Sequence, residues 1–117
     1  MGKPVMSVAS VNISLLKSNP PKLVITSSGF VSTSGWSNGR LEPRYYIDFP
    51  QDGIQDFDFV ADPPEGMALM VISGIAAKPV EWDSPPLDKL RGIRVHSQYE
   101  KNFIEAKLSE NNAFAFQ

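Results

Sequence analysis

The sequence predicts an all-β protein, an immunoglobulin-like antiparallel β-sandwich of about seven strands, with a small β-barrel as the alternative. Three observations point there. Turn signals cut the chain at intervals of roughly 10 to 20 residues. The segments between them alternate apolar and polar residues with a period of two, as half-buried strands do. The chain has 117 residues and no cysteine. One domain over 1–117 is the expected organisation, with a core large enough to need no disulfide or cysteine-bound zinc.

The breaks fall at Ser18-Asn19-Pro20-Pro21, Ser34 to Gly39, Pro50 to Gly53, Asp62 to Gly66 and Asp83 to Pro86. Between them, strands are predicted at 4–16, 22–33, 41–49, 54–61, 67–78, 90–99 and 102–108. In the first, Val11, Ile13 and Leu15 alternate with Ser10, Asn12 and Ser14, but Met6 and Val8 have the opposite parity. That shift predicts a bulge near Ala9 or Ser10, or a strand that changes sheets. Tyr45, Ile47 and Phe49 alternate with Arg44, Tyr46 and Asp48; Phe57, Phe59 and Ala61 alternate with Asp56, Asp58 and Asp62. Met67 to Ile75 is apolar on both faces and reads as a central, covered strand. Ile93 and Val95 alternate with Arg94 and His96, which places His96 on the polar face as a surface residue. For 102–108 a short helix capped by Asn102 is the competing reading.

Composition narrows the function classes. The net charge is −2, from 11 basic and 13 acidic side chains. The four arginines are divided between two segments, so no basic patch suited to nucleic acid is expected. No apolar run approaches the roughly 20 residues of a membrane-spanning helix. Absence of cysteine suits the cytosol and a bacterial periplasm alike. Met1-Gly2-Lys3-Pro4 shows no secretory leader. A cytoplasmic protein is expected or, where a leader has been removed, a periplasmic or extracellular one.

Two motifs invite a chemical reading. Gly35-Trp36-Ser37-Asn38-Gly39 fits the G-x-S-x-G pattern of a hydrolase nucleophile elbow, with His96 downstream. That elbow needs a strand turning into a helix. Here another strand pattern follows, so a loop with glycine and asparagine at positive φ is expected instead. The second feature is the acidic stretch from Asp48 to Asp62. Calcium takes several oxygen ligands, and Asp52, Asp56 and Asp58 are the candidate ligands of a calcium-stabilised module. The competing reading is a solvated strand face opposed by Arg91 and Arg94. No other cofactor is indicated.

Binding is the leading functional expectation. Trp36, Tyr46 and Trp82 are the candidate ligand-binding aromatics, because exposed rings bury large area at little entropic cost. The competing role for the tryptophans is to cap the core. Ala113-Phe114-Ala115-Phe116 offers an edge-pairing segment. The expected protein is a non-enzymatic binding or structural module for a protein or extended ligand, and a serine hydrolase built on Ser37 and His96 is a distant alternative.

Three stretches together resemble an uncharacterised group of small bacterial β-rich proteins: Gly29 to Trp36, Asp56 to Gly66, and Gly92 to His96. The resemblance implies a bacterial origin and an all-β fold. It implies no activity and no site.

Overall fold

The computed structural model describes residues 2–99 and 103–108. Among these, nine strands run in chain order: β1 (Lys3–Pro4), β2 (Ser7–Leu16), β3 (Lys22–Val31), β4 (Ser37–Pro43), β5 (Ile54–Asp62), β6 (Ser73–Ala76), β7 (Val80–Asp83), β8 (Gly92–His96) and β9 (Phe103–Lys107). They form two sheets that pack as a sandwich and do not close into a barrel.

In the first sheet β5 is central. Both β4 and β8 pair with Phe57 and Asp58, so they lie on opposite edges of β5. The short β1 continues the β8 edge, opposite Val60 and Ala61, and β9 pairs outside β8. In the second sheet β3 is central, with β2 along one edge and β6 and β7 in succession along the other. All pairings are antiparallel except β5 with β8, which is parallel.

The N-terminal strand does both things its parity shift foretold. Its first part pairs in one sheet and its second part in the other: the Val5 amide donates to Phe59 of β5, and the next amide, Met6, donates to Phe30 of β3. Within β2 the register slips between Val8 and Ser10, so Ala9 is the extra residue of a bulge. The bulge brings Val8 into the core beside Ile13 and Leu15. It also explains a buried hydroxyl, since Ser27 Oγ donates to the Ser10 carbonyl at 2.7 Å. A buried carbonyl without a donor would be costly.

The core lies between the central strands. Leu23, Ile25 and Val31 of β3 face Phe57, Phe59 and Ala61 of β5, joined by Ile93 and Val95 of β8. Those are the inward positions that the period of two selects.

Three segments depart from expectation. The alternation over 41–49 does not continue as a strand: β4 ends at Pro43, and Tyr45 and Ile47 are 90 % and 103 % exposed. After Pro43 the Arg44 amide still donates to the Asp56 carbonyl, and beyond it the link to β5 passes to a side chain, the Tyr46 hydroxyl on Asp56. The run 67–78 is a strand only over Ser73–Ala76, and its apolar head is exposed rather than central. One edge of β3 is shared by two short strands, β6 and β7, and β7 was not foreseen. Residues 103–107, by contrast, form the strand expected over 102–108 rather than the competing helix; Asn102 and the phenylalanine tail lie outside the described residues.

Candidate interaction surface

The link from β5 to β6 leaves the sandwich at Pro63-Pro64, turns at Gly66 with φ +93°, and then carries the apolar run. Met67 is 103 % exposed, Leu69 72 %, Met70 87 %, Val71 52 % and Ile72 64 %. Water is a poor environment for such side chains, each of which gains roughly 1.5–3 kcal/mol on full burial. They do not reach the core because the backbone holds them out. The Ser34 amide donates to the Leu69 carbonyl at 3.0 Å, and the Leu69 amide donates back to Ser34 Oγ at 2.9 Å. A tight turn from Leu69 to Val71 and a bond from Ser73 Oγ to the Val71 carbonyl fix the rest. Ser34 belongs to the loop from β3 to β4, so the run is pinned to the frame. Phe30, 42 % exposed, pairs opposite Gly74, two residues past Ile72. Contiguous exposed apolar surface of this kind marks interaction sites.

The three aromatics singled out in the sequence do not converge. Trp36 follows β3, half-buried against the core, with Nε1 donating to Thr33 Oγ1 at 3.0 Å. Trp82 sits in β7 opposite Leu23, near the start of β3, and also packs on the core. The ten residues of β3 put roughly 33 Å between these ends. Tyr46 stacks edge-on against Phe49 at 6.5 Å and donates to Asp56 Oδ2 at 2.5 Å. Trp82 lines a cleft of about 330 Å³ between the two sheet edges, with Pro43, Arg44 and Tyr45 on one side and Val80 and Glu81 on the other.

The aspartates are engaged within the protein. Asp58 takes two bonds from Arg44, at 3.1 and 2.8 Å. Asp52 accepts from the Ile54 amide at 3.1 Å and lies 3.7 Å from Arg94. Asp56 is the hub, bonded to His96 Nε2 at 2.7 Å, Tyr46 and Arg94. The arginines that meet the acidic stretch in these bonds are Arg44 and Arg94, with Arg40 on Asp62 at its far end; Arg91 forms none of these bonds. Among the described residues no group of three or more histidine or acidic side chains could hold a metal ion. Burial raises the Asp56 pKa, but the bonds from His96 and Tyr46 and the Arg94 guanidinium outweigh it, leaving Asp56 below the usual carboxylate range. Burial and the bond to Asp56 push the Tyr46 hydroxyl up.

His96 corrects the reading of a surface histidine. Its parity is as expected, on the outer face of the sheet in register with Asp58 and Phe103. It is nevertheless only 6 % exposed. The Phe103 ring lies 5.6 Å away and Arg94 packs over that ring, so the outer face is roofed at this point. With Asp56 ionised, Nε2 carries the proton of their bond, and buried Nδ1 has no hydrogen-bond partner among the described residues.

The G-x-S-x-G segment is only in part the loop expected from its context: Gly35, at φ +85°, and Trp36 end the link between the sheets, while Ser37, Asn38 and Gly39 open β4, where Asn38, at φ +56°, lies at a register shift against β5. Ser37 pairs with Asp62 on one edge of β5, and His96 with Asp58 on the other. That spacing is roughly 13 Å along the strand alone, beyond the reach of a nucleophile and its base.

No family model, curated protein or solved structure matches the chain. Among the described residues no helix is long and apolar enough to cross a membrane, which says nothing of spanning by strands.

Proposed function

We propose that the chain is a non-catalytic β-sandwich module that docks on a partner protein through the loop 67–72. The observation that carries the reading is the exposure of Met67, Leu69, Met70, Val71 and Ile72 on a backbone fastened to Ser34. A pre-fixed apolar loop loses little conformational entropy on binding, which favours affinity. The separation of Ser37 from His96 supports a non-catalytic role. An immunoglobulin-like kinship rests on the two-layer strand pattern, and a bacterial origin on the resemblance of three sequence stretches.

The test combines capture and reconstitution. A protein that co-purifies with the native chain is identified, purified and titrated against the chain and against a Met67→Ser, Leu69→Ser, Met70→Ser variant. The reading expects the variant to bind at least about 100-fold more weakly, as loss of a central apolar anchor does. Equal affinity of the two forms refutes it.

A second reading has its own observation. The cleft between Pro43–Tyr45 and β7 joins apolar walls to a strand, β7, that pairs with β3 along one edge. Such a groove suits an extended ligand added beside β7. A peptide library screened by Trp82 fluorescence tests it, with Trp36→Phe removing the other indole. Hits whose binding survives Trp82→Ala would speak against the cleft.

A further inference from the structure

The docking loop carries two of the chain's four methionines, Met67 and Met70. Both sulfur-bearing side chains stand in solvent, at 103 % and 87 % exposure. Met6 is half-buried where the chain crosses between the sheets. Cysteine is absent, so thioethers are the only reduced sulfur that the chain offers an oxidant. Their susceptibility follows exposure, and the product is a polar, chiral sulfoxide in place of an apolar group.

We propose that Met67 and Met70 form an oxidation-sensitive switch that removes the apolar character of the loop while leaving the sandwich intact. The functional consequence, release of a partner, rests on the docking role proposed above. The oxidant is a peroxide. The thioether sulfur attacks one peroxide oxygen, the O–O bond breaks and an S–O bond forms. Sulfur loses two electrons, and the peroxide is reduced to water or an alcohol. The fold survives because neither residue belongs to the core or to a strand ladder. The bonds that pin the loop run between the backbone amide and carbonyl of Leu69 and the amide and hydroxyl of Ser34, which the oxidation does not touch.

Graded hydrogen peroxide treatment followed by peptide mapping tests the switch. Met67 and Met70 are expected to gain one oxygen each, several-fold faster than Met6. The oxidised protein is expected to keep its far-ultraviolet dichroism and melting temperature, and to lose retention on a phenyl matrix. A Met67→Leu, Met70→Leu variant is expected to keep its retention after the same treatment. Oxidation of Met6 at an equal rate, unfolding of the oxidised protein, or loss of retention by the leucine variant would each overturn the inference. These readouts require no partner, so they stand apart from the serine-variant titration, whose failure would remove the docking role alone.

Discussion

Asp56 shows how one side chain ties separate parts of the chain together. Its carboxylate joins Tyr46 of the loop after β4 to His96 and Arg94 of β8, and Arg94 in turn bonds Glu105 of β9 at 2.8 Å. Asp56→Asn keeps the shape but removes the charge, and is expected to cost about 2–4 kcal/mol, because buried His96 loses its carboxylate and Arg94 loses one of three acidic partners. Denaturant melts of the two forms at neutral pH measure that cost. The same residue sets a pH dependence. Its folded pKa lies below its unfolded value, so in the acid range the unfolded state binds more protons and stability rises with pH. The contribution is complete above about pH 5 and disappears as the pH falls through the depressed folded value. Melting temperatures from pH 7 down to pH 2 are expected to show an acid loss that is smaller in Asp56→Asn. At this scale the alternation Asp56-Phe57-Asp58-Phe59 made the faces legible. The burial of His96 was not, because its cover comes from Phe103, a residue of the neighbouring strand that no local pattern reveals.

At the scale of elements, the loop 67–72 depends on its fastening to Ser34. Ser34→Ala removes the acceptor of the Leu69 amide but leaves the reciprocal bond from the Ser34 amide. Loss of one such bond costs about 0.5–1.5 kcal/mol. The expected outcome is local: the Leu69 amide exchanges with solvent several-fold faster, while amides of β3 and β5 are unchanged. Exchange measured by nuclear magnetic resonance checks this. The loop is also where sequence reasoning went furthest astray. An unbroken apolar run signals either a covered strand or an exposed contact surface, and periodicity does not separate the two. The pair Pro63-Pro64 and the glycine at 66 marked a departure from strand geometry just before the run. Two methionines in place of β-branched residues at 67 and 70 weakened the strand reading further. The bulge at Ala9, by contrast, was legible because a change of parity inside one strand has few other causes.

Over the whole molecule, the core and the proposed docking surface are separate. The sandwich is held by β3 and β5, whose inward residues Leu23, Ile25, Phe57 and Phe59 are at most 2 % exposed. The loop contributes none of these. The Met67→Ser, Leu69→Ser, Met70→Ser variant is therefore expected to unfold within about 0.5 kcal/mol of the native chain, as exposed substitutions do. Chemical denaturation checks this. The layered all-β architecture followed from the period of two and the turn spacing, which are local properties. The division of strands between the sheets, and the parallel pairing of β5 with β8, were not legible, because pairing depends on contacts between residues far apart in sequence.

Amide exchange in the isolated chain and in its complex with the captured partner tests the docking claim most directly. The account predicts that new protection in the complex centres on residues 67–72 and the adjoining Ser34. Unchanged exchange there, with new protection confined to another face of the sandwich, would contradict it.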